Sequence, residues 1–77
     1  MVGAAVTKRI FLAIADAHPD DSEYEISKVE IRHGWGDIVH VTIHGGHDTQ
    51  GHGRAIREAV ERALDPQRHS VRLETTA

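Results

Sequence analysis

The sequence predicts an α+β fold: one domain with elements in the order α-β-β-α-β, two helices covering one face of a three-stranded mixed sheet as a two-layer sandwich. Three observations lead there. Apolar residues recur at helical spacing in two separate stretches, Val6 to Ala17 and Ala55 to Leu64. They alternate with polar residues over residues 25–33 and 38–44, on either side of Gly34-Trp35-Gly36-Asp37. A chain of 77 residues has material for a single core.

Val6, Ile10, Ala13, Ile14 and Ala17 share one face of a helix over about residues 4–17. His18-Pro19-Asp20-Asp21 ends it, because proline restricts the residue before it and has no N–H for the ladder. In the next stretch Val29 and Ile31 face inward, while Lys28, Glu30 and Arg32 face outward. Gly34-Trp35-Gly36-Asp37 is a hairpin turn rich in residues that tolerate positive φ. In the second strand Val39, Val41 and Ile43 face the core, leaving His40, Thr42 and His44 on the other side. Gly45-Gly46 ends that strand, and Asp48 or Thr49 is positioned to cap the second helix.

That helix carries the apolar stripe Ala55, Ile56, Ala59, Val60, Ala63 and Leu64. On its outer side Arg54–Glu58, Arg57–Glu61 and Glu58–Arg62 are i,i+4 pairs, worth a few tenths of a kcal/mol each. Asp65-Pro66 stops it, and residues 70–74 form a last strand with Val71 and Leu73 inward. A strand–helix–strand connection within one sheet makes the second and third strands parallel. Each helix has one apolar stripe, so both cover the Val/Ile face. The other face carries Lys28, Glu30, Arg32, His40, Thr42 and His44, and is either solvated or set against another subunit.

Composition narrows the function. The chain has no cysteine, so thiolate metal sites and thiol nucleophiles are excluded, and a reducing, cytoplasmic setting is expected. No apolar stretch is long enough to span a membrane, and the N-terminal residues lack the charged start of a secretory signal. A net charge of −3 argues against duplex binding that rests on lysine and arginine along phosphates. With one Trp, one Phe, one Tyr and one Met, the core is thin, and self-association or a partner is expected to support it.

Histidine and glycine concentrate in residues 40–54. Zinc needs ligands converging within about 2.0–2.1 Å. His40 and His44 share a face but lie roughly 13 Å apart at about 3.3 Å per residue, too far to share an ion within one chain. His44, His47, Asp48 and His52 are the better set, because Gly45-Gly46 can fold them back on one another. The same stretch has an anion reading: Gly51, Gly53 and Arg54 stand at a helix N-terminus, whose amides favour phosphate. The spacing from Gly46 to Gly51 imitates a P-loop, but His52-Gly53 replaces the Lys and Ser/Thr that motif requires. The plainest reading is a turn of glycines, surface histidines and a capping Asp48.

Trp35 at the hairpin tip either caps the core edge or sits in an interface. No serine lies in a nucleophile-elbow context, and no histidine–aspartate pair comes with an oxyanion hole, so the chain is expected not to be an enzyme.

Ala13-Ile14-Ala15-Asp16-Ala17-His18-Pro19, Val29-Glu30-Ile31-Arg32-His33-Gly34, Val39-His40-Val41-Thr42-Ile43, Ala59-Val60-Glu61-Arg62-Ala63-Leu64 and Ser70-Val71-Arg72-Leu73-Glu74 together resemble the cytoplasmic C-terminal domain of cation diffusion facilitator transporters. The resemblance covers most of the chain. It implies a ferredoxin-like α-β-β-α-β domain that dimerises and binds divalent metal through histidine and acidic residues, with His52 the position carried over. Two departures stand against it: there is no transmembrane portion, and the lead-in to the second helix is short and glycine-rich. A type II KH domain has a related plan, but its GxxG loop between helices and its basic surface are missing.

The leading expectation is therefore a homodimeric binding or regulatory module taking a divalent transition metal such as zinc through His44, His47, Asp48 and His52. The runner-up is a protein- or nucleic-acid-interaction module using the open sheet face, His40 and Trp35 together with Gly51, Gly53 and Arg54. A purely structural or assembly role is the third.

Overall fold

A computed structural model describes residues 3–18, 24–46 and 51–75. Among these the element order is α1 (Ala4–Ala17), β1 (Ile26–His33), β2 (Val39–Gly45), α2 (His52–Leu64) and β3 (His69–Thr75), as the periodicities predict. β2 is the central strand, antiparallel to β1 and parallel to β3. The register sets Ile31, Val41 and Val71 in one row and Val29, Ile43 and Leu73 in the next.

Both helices bury their stripes against that face. Ile10 and Ile14 of α1 meet Ile56, Val60 and Leu64 of α2 over Val39, Val41 and Ile43 of β2. Fully burying one such side chain stabilises the fold by roughly 1.5–3 kcal/mol. Val6, Ala13, Ala17, Ile26, Val29, Ile31, Val71 and Leu73 complete the layer, partly buried. The inward side of α2 is narrower than its sequence suggests. Ala55 is exposed, since a helix turns about 100° per residue and Ala55 falls beyond the Ile56–Val60–Leu64 stripe.

The cap of α2 also departs from expectation. The N-cap is Gly51, with φ of 78° and no side-chain cap, a left-handed conformation that costs glycine little. Asp48 and Thr49, the anticipated caps, lie outside the described residues. The helix ends at Leu64 with Asp65 as C-cap, as the Asp65-Pro66 pair predicts.

The hairpin between β1 and β2 closes through Gly34 N–H to the Ile38 carbonyl, 2.9 Å. Gly36 and Asp37 both have positive φ, 74° and 59°, the combination that type I′ turns require at their central residues. The α2–β3 connection holds this turn from the side. Arg68 donates to the Gly36 carbonyl at 3.2 Å, the Gln67 amide donates to the Asp37 carbonyl, and Val39 N–H reaches the Arg68 carbonyl at 2.9 Å.

Candidate binding site on the open sheet face

Residues directly opposite in a ladder share a face of the sheet. On the side away from the helices the register forms three rows: Arg32–His40–Ser70, Glu30–Thr42–Arg72 and Lys28–His44–Glu74. This face is polar throughout, as the alternation predicts, and its two ends differ in charge.

One end is internally compensated. The His44 ring donates Nε2–H to Glu30 Oε1 at 2.7 Å, and its Nδ1 lies 3.9 Å from Glu74 Oε2. Lys28 Nζ stands 3.5 Å from Glu30, and Arg72 Nη2 stands 3.7 Å from Glu74. The bond from His44, and secondarily the Lys28 ammonium, hold the Glu30 carboxyl below its ordinary pKa. Such exposed pairs contribute little stability each, but they fix where the charges sit.

The other end, towards the hairpin, is cationic. Arg32, His33, Gly34, His40 and Arg72 line an open depression of about 370 Å³ without a carboxylate among them. Arg32 has no ion pair among the described residues. Next to Gly34 in the chain, Trp35 is 98% exposed. It does not cap the core edge, so of the two roles open to it the structure removes one. Arg32 is thus the unpaired guanidinium of this end among the described residues; Arg72 also lines it while standing 3.7 Å from Glu74, and His40 adds an imidazole from the central strand.

The other anticipated site residues are placed differently. His44 points to the open face, away from the helix layer in which His52 begins α2. Among the described residues, no group of three or more His, Cys, Asp or Glu is placed to hold a metal ion. His47 and Asp48 lie outside the described residues. Arg54 Nε is 3.3 Å from Glu58 Oε1 along the helix surface.

The glycines of the bend have a packing reason. Gly45 and Gly53 flank the buried Tyr24 ring: a Cβ on Gly53 would come within 2.8 Å of the Tyr24 hydroxyl oxygen and 3.0 Å of Leu73 Cδ2. Gly53 is therefore a close-approach position inside the first turn of α2. Only Gly51 is left where an added Cβ would meet nothing within 4 Å.

Sequence reasoning did not single out Arg72. Its signal was present: it lies between the inward-facing Val71 and Leu73 and so faces out. Only the strand register shows that it stands across β2 from Glu30, diagonal to Arg32.

Comparison of the chain with protein-family models, with curated proteins and with solved structures returns no match. No helix among the described residues is long and apolar enough to cross a membrane.

Proposed function

We propose that the chain is a binding module, not an enzyme, and that the hairpin end of its open sheet face takes single-stranded nucleic acid. The observation that carries this reading is the depression lined by Arg32, His33, Gly34, His40 and Arg72, with the exposed Trp35 following Gly34 in the chain. Guanidinium groups suit phosphate because their planar donors reach two oxygens at once. An exposed indole offers a base a stacking surface worth about 1–3 kcal/mol. A net charge of −3 argues against duplex binding that rests on lysine and arginine along phosphates, and a short, local, single-stranded contact fits that charge better.

The test uses the protein's own reporter, since Trp35 is its only tryptophan. Titrating a single-stranded oligonucleotide at low salt is expected to quench its fluorescence, with duplex of the same sequence binding more weakly. Two arginine–phosphate contacts imply a shallow salt dependence, a log–log slope of about −1.4 at roughly 0.7 per contact. Arg32→Ala and Arg72→Ala each weaken binding to a labelled oligonucleotide, and Trp35→Ala weakens it without flattening the salt slope. Equal binding by wild type and Arg32→Ala would sink the reading. The alternative at His44, His47, Asp48 and His52 responds to zinc instead. A melting temperature that rises with zinc, and no longer does so in His44→Ala, would favour it, because a ligand of the folded state stabilises that state.

A further inference from the structure

We infer that the outer face of α1 is a homodimer interface, with two copies of the helix packed antiparallel about a two-fold axis near Leu12. Apart from Trp35, the exposed large apolar side chains among the described residues are Phe11, 49% exposed, and Leu12, 57% exposed, both on α1. Ala4, Ala5, Lys8, Arg9, Ala15 and Asp16 are exposed around them. At about 100° per residue, Ala5, Lys8, Leu12 and Ala15 fall on one strip opposite Ile10 and Ile14, with Phe11 and Asp16 at its margins. A solvated helix face normally carries charge at such positions. This one carries a single charge, Lys8, on the strip itself and exposes Leu12 at its middle, with small residues that let another helix approach closely.

The occupant follows from the charges. A two-fold interface must complement itself, each residue meeting its symmetry mate's counterpart. In an antiparallel pair centred on residue 12, a position a given number of residues before the centre lies opposite the one equally far after it. Leu12 then meets Leu12, and Lys8 of each copy meets Asp16 of the other, with Arg9 alongside. Within one chain none of Lys8, Arg9 and Asp16 has an ion pair among the described residues. The open sheet face, by contrast, carries charge in all three of its rows and offers no apolar centre. α1 lies on the opposite side of the sheet, so this dimer leaves the nucleic-acid surface free and does not depend on that reading.

Sedimentation velocity of the full chain up to high micromolar concentration, where an interface this small associates, tests the inference. The expected result is a concentration-dependent dimer. Leu12→Glu, on an exposed site, gives a monomer with an unchanged circular-dichroism spectrum. Lys8→Glu and Asp16→Lys each weaken the dimer about tenfold, and the double variant Lys8→Glu/Asp16→Lys recovers most of that loss because the charges are exchanged rather than lost. A wild type that stays monomeric overturns the inference. So does a dimer indifferent to Leu12→Glu, which is the behaviour of a sheet-face dimer. If Leu12→Glu proves unfolded, the charge exchange decides alone: a double variant as weak as its parents rules out the Lys8–Asp16 register.

Discussion

The buried Tyr24 ring lies against the backbone of Gly45, leaving no space for a Cβ between them. Tyr24 is 5% exposed, and the His18 ring donates to its carbonyl oxygen at 2.7 Å. The residue thus ties the end of α1 to the end of β2. Gly45→Ala must push the ring out of its seat, an overpacking change that costs about 1–3 kcal/mol. For a domain this small, each kcal/mol lowers the melting temperature by roughly 4–8 °C. In a Tyr24→Ala background the clash is gone, so the same substitution should cost far less. Thermal melts of the two single variants and the double variant measure that coupling, and additive losses would show that the ring is not what excludes a side chain at residue 45.

Asp37 holds φ of 59° in the hairpin. For a residue with a Cβ, the left-handed region costs about 1–2 kcal/mol, and aspartate is among the few that enter it readily. A β-branched side chain there is strained further. Asp37→Val is expected to lose about 1–2 kcal/mol in urea denaturation, while Asp37→Gly stays within about 0.5 kcal/mol of wild type, lower strain being offset by a more flexible unfolded chain. A Val variant as stable as the Gly variant would show that the turn readily relaxes to another conformation.

Much of the fold was legible because it depends on short-range periodicity. Ile10 and Ile14 are one helical turn apart, and Val39, Val41 and Ile43 alternate; each pattern names its element and its buried face without reference to anything distant. The site was less legible because it depends on register. Arg32 and Arg72 are far apart in the chain and come to line one depression only when β2 takes β1 on one side and β3 on the other. The packing role of the glycine bend was hidden for a similar reason. Gly45 and Gly53 lie against Tyr24, a solitary aromatic after a polar run that carries no periodic signal. Its contact with both glycines is a tertiary fact.

Ile43 is fully buried on the central strand, between Val29 and Leu73. Its neighbours come from both flanking strands and from the helices above, so the gap left by Ile43→Ala cannot easily close. The expected loss is about 2–5 kcal/mol, a large fraction of the stability of a small domain. Val29→Ala, at a half-buried position on an edge strand, should cost clearly less. Equal losses in chemical denaturation would mean that the core is centred nearer β1 than β2.

Glu30 makes the open face sensitive to acid, and the sign follows from its partners. His44 donates Nε2–H to its carboxylate at 2.7 Å and the Lys28 ammonium stands 3.5 Å away. Both favour the ionised form, so the carboxyl titrates below its ordinary value in the folded state. A depressed carboxylate contributes stability that is present above the unfolded pKa, roughly 4.3, and that is lost as pH falls through the lower, folded value. His44→Ala removes the larger cause and leaves Lys28, so the Glu30 midpoint should rise, and rise further in Lys28→Ala/His44→Ala. Carbon-detected NMR of the Glu30 carboxyl against pH reads this directly. Stability should follow the same course: the advantage of wild type over His44→Ala that this bond supplies is present at neutral pH and shrinks as Glu30 protonates. A Glu30 midpoint unchanged by His44→Ala would mean that the imidazole does not hold this carboxylate in solution, and the compensated end of the sheet face would then be set by Lys28 and Arg72 alone.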